Sequence, residues 1–315
     1  MRYFDLHCDT AGECFDRHCG LYDNSLHVSL KRASKYKKWA QVFAVWIDDS
    51  FRGEDAWQRF EKVSGSFLGQ LSDHAGFPVL CTCGEDLEKI EDSARNAAIL
   101  SIEGGAALGG KIEHLYDAFR KGARLVTLTW NGRCEAGDGC MVPDAGGLTS
   151  FGFDVVREME RLDMTVDVSH LSENGFRDVL RAARKPFVAS HSDSKAIYDC
   201  PRNLADWQFH EIAERRGLVG LNLYKGFVDK EKPDIDSLSR HADHFLELGG
   251  EDALAVGADF DGSEPIDGVK GVEDMDKVYG AMVTRFGETV SDKIFYGNAY
   301  RFFLSSLPQI SKSLS

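Results

Sequence analysis

The sequence has no long hydrophobic run and little proline, with seven prolines in 315 residues. A membrane-spanning helix needs about 18 apolar residues in succession, and no stretch of the chain approaches that length. The first ten residues carry two acidic side chains and lack the basic segment and apolar stretch of a secretory signal peptide. We therefore expect a cytoplasmic protein with no membrane role.

Positive charge is scarce as well. Lysine and arginine total 37 against 51 aspartates and glutamates, which gives a formal net charge of -14. This charge repels the phosphates of nucleic acids and the headgroups of anionic lipids, so it argues against both as partners. Small molecules and other proteins remain.

The eight cysteines show no C-x-x-C spacing. A chain that can bury a large core in a reducing compartment does not need disulfides, so we interpret most of them as small buried apolar side chains. Cys134 and Cys140 lie six residues apart in one predicted loop and could form a redox pair, although this spacing in a loop more often has no role.

Short apolar runs alternate with helix-length amphipathic segments along the whole chain. This alternation is typical of parallel strands joined by crossover helices. Eight runs without a composition break, a proline-rich linker or an internal repeat predict a single (β/α)8 barrel of the TIM type over residues 1–315 rather than two domains. A doubly wound nucleotide-binding sheet requires a glycine-rich motif after its first strand. In this chain the first run is followed by HCDT at 7–10 instead. The runs are 3–6, 40–47, 97–102, 125–129, 165–169, 186–190, 218–223 and 253–257.

Seven helices are predicted between these runs, and Ser172 is the predicted N-cap of one of them. The insertions 48–79 and 132–148 follow the second and fourth runs and should lie on the C-terminal rim, where the active sites of such barrels form. The predicted helices are 56–71, 114–121, 151–161, 172–183, 206–216, 235–248 and 274–285.

Side chains that can bind metals stand at or just after the ends of five runs. Because all strands of a parallel barrel end at one rim, these side chains should converge there. Residues two apart in a strand face the same side, so His7 and Asp9 should point together while Cys8 faces away. The six residues are His7, Asp9, Glu103, His170, His191 and Asp259.

Three histidines and two carboxylates of this set suit Zn²⁺ and similar ions. Five ligands exceed what one tetrahedral ion uses, so two ions bridged by a carboxylate is the economical arrangement. A single histidine at a strand end is more often a polar residue or a cap, whereas the whole set in barrel order is specific. The other histidines are assigned to structure or solvent: His18, His27, His74, His114, His210, His241 and His244.

These residues lie in segments that resemble the membrane dipeptidase family of zinc peptidases, peptidase family M19, within the amidohydrolase-like metal barrels. The resemblance extends over most of the chain, and the segments are specific in their order and spacing although each is short. They are DLHCDT at 5–10, SIEGG at 101–105, LVTLTWN at 125–131, DVSHLS at 167–172, SHS at 190–192, RN at 202–203, LNLY at 221–224, GADFDG at 257–262 and GN at 297–298.

The resemblance implies two zinc ions per chain and a dipeptide substrate. Glu103 would bridge both ions, with His7 and Asp9 completing one side and His170 and His191 the other. Two cations would lower the pKa of a bound water and polarise the scissile carbonyl.

The resemblance also implies roles for residues around the metals. Asp259 resembles the acid/base that accepts the proton of the water and passes it to the leaving amine. Asp261 is the alternative, but it lies farther from the strand end. Arg202 maps to an arginine that holds the substrate carboxylate, and Tyr224 maps to a residue that lines the substrate site.

Trp130 departs from the better-known members of the family, in which a histidine assists the carbonyl oxygen at this point. An indole donates one hydrogen bond and cannot carry the charge of an imidazolium. Stabilisation of the transition state would then rest more on the metals, or Asn131 or Arg133 would take part. Trp130 and Asn131 are therefore predicted to contact substrate.

The sequence thus predicts a metal-dependent dipeptidase, which by family resemblance also tolerates a D-residue on the C-terminal side. Two alternatives stay open: another hydrolase on the same metals, acting on N-acyl amino acids or lactones, and a non-catalytic metal-containing barrel that binds peptides. Relatives are often dimers, so a homodimer is an open alternative to a monomer.

Overall fold

Eight parallel strands close into a barrel in the computed structural model, which describes residues 1–72 and 78–309. The ring runs β2-β1-β9-β8-β7-β6-β5-β4 and closes through the pairing of β2 with β4, while the short strand β3 pairs with β4 outside the ring. The strands are β1 Arg2–Cys8, β2 Lys38–Trp46, β3 Val79–Leu80, β4 Ala97–Glu103, β5 Ala123–Thr127, β6 Thr165–Asp167, β7 Val188–Ala189, β8 Leu218–Leu221 and β9 Leu254–Val256.

Helices connect the strands. No helix in the described part of the chain combines the length and the apolar character needed to cross a bilayer. The α-helices are α1 Thr10–Asp16, α2 Leu30–Ala33, α3 Gly53–Ser72, α4 Gly84–Glu91, α5 Ile112–Arg120, α6 Ser150–Arg161, α7 Glu173–Ala182, α8 Asp206–Glu214, α9 Lys225–Val228, α10 Ile235–Glu247, α11 Met275–Phe286, α12 Glu288–Asp292 and α13 Asn298–Ser306.

The predicted barrel is confirmed, and each of the eight predicted runs overlaps one strand of the ring. All seven predicted helices are present, and the hydroxyl of Ser172 accepts a hydrogen bond from the Gly175 amide at 3.2 Å, as its assignment as an N-cap requires. The strand β3 and the helices α1, α2, α4, α9, α12 and α13 were not predicted. None of them is longer than nine residues, so each carries few periodic positions. His74 and the rest of 73–77 lie outside the described residues.

Alternation along β4 shows how the barrel interior is layered. Ala97 and Ile99 belong to an apolar cluster that fills the N-terminal part of the barrel, and Glu103, on the same face, reaches the C-terminal rim. Phe303 of α13 closes the N-terminal end, where its ring stacks on Phe4 with centroids 5.4 Å apart. The interior is therefore apolar at one end and charged at the other.

A bulge in β1 turns His7 toward the interior. Asp5 pairs with Gln41 and Cys8 pairs with Phe43, so β1 uses three steps where β2 uses two. The extra residue changes the side-chain alternation, and His7 approaches Glu103 across the barrel while Cys8 packs into the outer core. The prediction that Cys8 faces away from the site is confirmed.

Candidate active site

Glu103 stands at the centre of the rim. Its Oε2 lies 3.3 Å from His7 Nε2, and its Oε1 lies 2.9 Å from His170 Nε2 and 3.5 Å from His191 Nε2. All four side chains are buried. The two oxygens of one carboxylate therefore face two different sets of imidazoles.

Three overlapping groups of side chains at this rim have their donor atoms within 4.8 Å of one another. Glu103 belongs to two of the groups, which places one carboxylate between two potential ion positions. The structure thus brings together all six residues of the predicted strand-end set. The groups are His7, Asp9 and Glu103; Glu103, His170 and His191; and His7, His191 and Asp259.

Unpaired polar atoms mark the cluster as a fit for cations. Both ring nitrogens of His7 and the Oδ1 of Asp9 are buried without a hydrogen-bond partner among the described residues. Buried polar atoms are normally paired, and leaving them unpaired is unfavourable. Imidazole nitrogens and carboxylate oxygens are donors that zinc and related ions accept, so bound cations would satisfy these atoms.

The electrostatics of the cluster agree with this fit. Burial and the charge of Glu103 raise the pKa of Asp9 to about 8, although His7 opposes the shift. Burial and then the Arg202 guanidinium lower the pKa of His170 to about 4. At neutral pH the His170 imidazole is therefore in the neutral form that binds metals. The carboxylates of Glu103 and Asp9 overcome the effect of burial and raise the pKa of His7, so a bound cation would replace a proton on that ring.

Two of the candidate ligand histidines have a hydrogen-bond partner at their second ring nitrogen. His191 Nδ1 lies 2.7 Å from Ser190 Oγ, which in turn donates to Asp167 Oδ2 at 2.5 Å. His170 Nδ1 lies 2.9 Å from Asn131 Oδ1. Such contacts set the tautomer and the ring orientation of a ligand histidine. Asn131, predicted as a substrate contact, lines the cavity and also orients a metal-ligand candidate.

Asp259 and Asp261 differ in what surrounds them. Asp259 is buried beside His7 and His191, and its Oδ2 accepts a hydrogen bond from Asn222 at 3.0 Å. The carboxylate of Asp261 accepts hydrogen bonds from two backbone amides of the loop after α1 and, at 2.6 Å, from the Thr10 hydroxyl. These bonds hold the loop and occupy both carboxylate oxygens. Of these two aspartates, Asp259 is the one whose carboxylate lies within the rim cluster.

Arg202 lies next to the cluster, and two hydrogen bonds to the segment after β7 fix its guanidinium. Its Nη2 donates to the His191 carbonyl at 2.7 Å and its Nη1 to Ser192 Oγ at 3.1 Å, while its buried Nε has no partner among the described residues. Together with His170 it lines a small side cavity of about 50 Å³. Tyr224 lines the main cavity, with its ring packed against Phe227.

The main cavity has a volume of about 480 Å³ and opens over the cluster. Trp130 lines it beside Trp46, with ring centroids 5.0 Å apart. Arg133, the alternative partner of the carbonyl oxygen, instead pairs with Asp138 at 2.6 Å in its own loop, and its side chain is 68% exposed.

The cysteines carry no disulfide, since all eight are free thiols. Cys134 is buried and its Sγ contacts the Leu128 carbonyl, whereas Cys140 lines a surface depression and also the small side cavity that His170 lines. The structure therefore gives no support to a redox pair of Cys134 and Cys140. Four cysteines are fully buried and four are partly buried.

Several residues around the site were not singled out from the sequence. Trp46 stands next to the end of the second predicted run, so the strand-end rule that selects Glu103 could have found it. Asn222, Asp167 and Ser190 lie in the segments that carry the family resemblance, but amides, carboxylates and hydroxyls are too common at strand ends to mark them without coordinates.

Comparisons with known proteins agree with this geometry. The model of the family described as membrane dipeptidase, peptidase family M19, matches residues 1–311. An uncharacterized protein in the pqqA 5' region of Klebsiella pneumoniae is 32% identical over 250 residues, which cover 75% of this chain and 92% of that protein. Dipeptidase tcpJ of Claviceps purpurea is 28% identical over 309 residues, which cover 90% of this chain and 68% of that protein.

Solved structures extend the similarity to the whole fold. The dipeptidase AC, a metallopeptidase of family M19, has a TM-score of 0.90 and 27% identity, covering 98% of this chain and 99% of that one. A metallopeptidase from Rhodobacter sphaeroides, liganded with a phosphinate mimic of the dipeptide L-Ala-D-Ala, has a TM-score of 0.90 and 26% identity over the same shares. The chain belongs to the membrane dipeptidase family, peptidase family M19, and is a metal-dependent dipeptidase.

Proposed function

We propose that this dipeptidase works with two zinc ions and accepts dipeptides with an L- or a D-residue on the C-terminal side. The observation that supports two ions is Glu103, whose oxygens face separate imidazoles and which belongs to two ligand groups. The proposed ligands are His7, Asp9, Glu103, His170 and His191.

Bound at these residues, the ions would lower the pKa of a water and polarise the scissile carbonyl. The chain supplies the proton transfer. Asp259, held by Asn222, accepts the proton of the attacking water and returns it to the nitrogen of the leaving amine. Burial raises the pKa of Asp259, which makes its carboxylate a stronger base for the proton of the water.

The substrate termini need partners of their own. The unpaired Nε of Arg202 gives the guanidinium a free donor for the substrate carboxylate beside the cluster. Tolerance of a D-residue rests on the Rhodobacter sphaeroides relative and its L-Ala-D-Ala mimic. Trp130 and Asn131 line the cavity and are proposed to contact the substrate as well.

The test combines elemental analysis with hydrolysis assays on L-L and L-D dipeptides, N-acyl amino acids and lactones, before and after chelation. We expect two zinc ions per chain and dipeptide hydrolysis that chelation abolishes and zinc restores. One ion per chain at full activity would refute the dinuclear centre, and turnover of L-L dipeptides alone would refute the D-residue proposal.

Glu103→Ala provides the matched variant. We expect no detectable hydrolysis and reduced binding of both ions, with the circular dichroism spectrum of the folded protein retained. Normal turnover in this variant would show that the rim cluster is not the catalytic centre.

A further inference from the structure

Two tryptophans flank the central glutamate of the site. Trp46 ends β2 and pairs in register with Glu103 of β4, and Trp130 follows β5 on the other side of β4. Their rings meet edge to face, with centroids 5.0 Å apart and planes at 73°. Trp130 also lies 6.3 Å from the His170 ring. The pair thus forms one continuous aromatic wall above the metal cluster.

A second aromatic pair stands on the opposite side of the barrel. In the ring of eight strands, β8 is four places from β4, and Tyr224 and Phe227 follow β8. Their rings are perpendicular, with centroids 4.7 Å apart, and both side chains line the same cavity as the tryptophans. A substrate over the cluster is therefore enclosed between two aromatic walls.

The charged side chains in the outer part of this cavity are paired with one another. Asp16 binds Arg59 at 2.6 Å, and Lys225 binds Glu264 at 2.6 Å. Glu13 likewise pairs with Arg17, the residue that follows α1, at 2.6 Å. Because each charge is compensated within the chain, these side chains do not favour a charged side chain on the substrate.

Trp46 presents an apolar surface to the cavity and no accessible hydrogen-bond donor. Its indole nitrogen is buried and has no partner in the described part of the chain, while the residue lines the cavity. An aromatic surface without an exposed donor favours apolar groups, which leave water on contact with it.

We propose that Trp46 and Trp130 form a specificity subsite for a large apolar side chain at one of the two positions of the dipeptide. The inference rests on the proposed function and names its substrate class: dipeptides that contain leucine, methionine or phenylalanine. The cavity, at about 480 Å³, has room for such a side chain beside the peptide bond.

The experiment measures kcat/KM of the zinc-loaded protein on Ala-Ala, Leu-Ala, Ala-Leu, Phe-Ala, Ala-Phe, Lys-Ala and Ala-Asp. The readout is selectivity, the ratio of kcat/KM for each dipeptide to that for Ala-Ala. We expect the wild type to select a large apolar residue at one position, and Trp46→Ala and Trp130→Ala each to lower that selectivity about 10- to 100-fold.

Trp207→Ala is the matched control. Trp207 of α8 packs against Phe176 of α7 and does not line the main cavity, so its loss should leave the selectivity unchanged. Trp46→Phe and Trp130→Phe should restore part of the selectivity. Zinc content and the midpoint of thermal unfolding, measured for each variant, show whether the site is still assembled.

Equal losses on every dipeptide in the alanine variants, or a wild-type preference for Lys-Ala or Ala-Asp, would overturn the subsite. Hydrolysis of all dipeptides at one rate would overturn the subsite but leave the dipeptidase intact. Absence of turnover on the whole panel would refute the proposed function instead.

Discussion

The two ends of the barrel interior are built from opposite kinds of side chain. At the N-terminal end, Phe4, Ile99 and Phe303 pack in an apolar cluster closed by α13. At the C-terminal end, Glu103 and Asp259 are buried among histidines. Apolar burial stabilises the fold, whereas buried charges without full pairing oppose it. The comparison indicates that one end supports stability and the other supports chemistry, so substitutions should separate the two.

The largest effect is expected at the charged end. Asp259→Asn removes the proposed acid/base, so kcat should fall by about 10²- to 10⁴-fold while zinc content and thermal stability are retained. Asp261→Asn is the control, because it disturbs structural hydrogen bonds and should reduce the free energy of unfolding by about 1–3 kcal/mol with a much smaller loss of kcat. A loss of kcat confined to Asp261→Asn would exchange the roles of the two residues.

At the apolar end, Phe303→Ala should act on stability alone. Removing a buried ring that stacks on Phe4 should lower the free energy of unfolding by about 3–5 kcal/mol, measured by urea denaturation. The kcat/KM of the folded fraction should stay at the wild-type value. Phe51→Ala, at a residue that is 37% exposed, should have a smaller effect on stability. A strong loss of kcat/KM in folded Phe303→Ala protein would contradict the division between the two ends.

Ser190 contacts the ring of His191 at the charged end of the barrel, so it should influence zinc affinity without being a ligand itself. Ser190→Ala breaks the contact between His191 Nδ1 and Asp167, so zinc affinity should fall about 10- to 100-fold in a competition titration with a chelator. Ser169→Ala is the control. The Ser169 hydroxyl accepts a hydrogen bond from the backbone amide of His191 and does not contact its ring, so the loss of zinc affinity should be smaller. Equal zinc affinity in Ser190→Ala and wild type would exclude the positioning role.

His241 on α10 is a buried polar residue outside the barrel interior, and we expect it to contribute to stability rather than to chemistry. Burial lowers the pKa of His241 to about 4, although the hydrogen bonds of its ring with the Val228 carbonyl and the Ser194 amide oppose the shift. The unfolded chain takes up a proton here below its ordinary pKa of about 6.5, whereas the folded chain does not until pH approaches 4. This stability is therefore complete above about pH 6.5 and is lost as pH falls toward 4.

The matching measurement is urea unfolding from pH 7 to pH 5. His241→Gln should lack about 2 kcal/mol of the decline that the wild type shows over this range. His210→Gln, at an exposed histidine, should behave like the wild type. Parallel curves for His241→Gln and the wild type would contradict the assignment.

Sequence reasoning reached the barrel and the six residues of the rim cluster for one physical reason. Residue type and the two-residue period of a strand are local properties, and the parallel arrangement then brings every strand end to the same rim. The side chains that support the ligands were harder to find. Asn131 was expected to contact substrate, but the contact of its amide with His170 depends on which strand end lies beside it.

The sequence by itself determined the order of the eight ring strands and of seven helices, the chemistry of the candidate ligand set and the family, because composition, periodicity and motif spacing are properties of the chain alone. Only the tertiary structure decided how these parts meet. The bulge that turns His7 inward, the choice of Asp259 over Asp261 and the facing of Trp46 with Trp130 all depend on strand register and on distances between segments far apart in the chain. No local pattern specifies such contacts, because each depends on two elements whose relative position is set by the packing of the whole barrel.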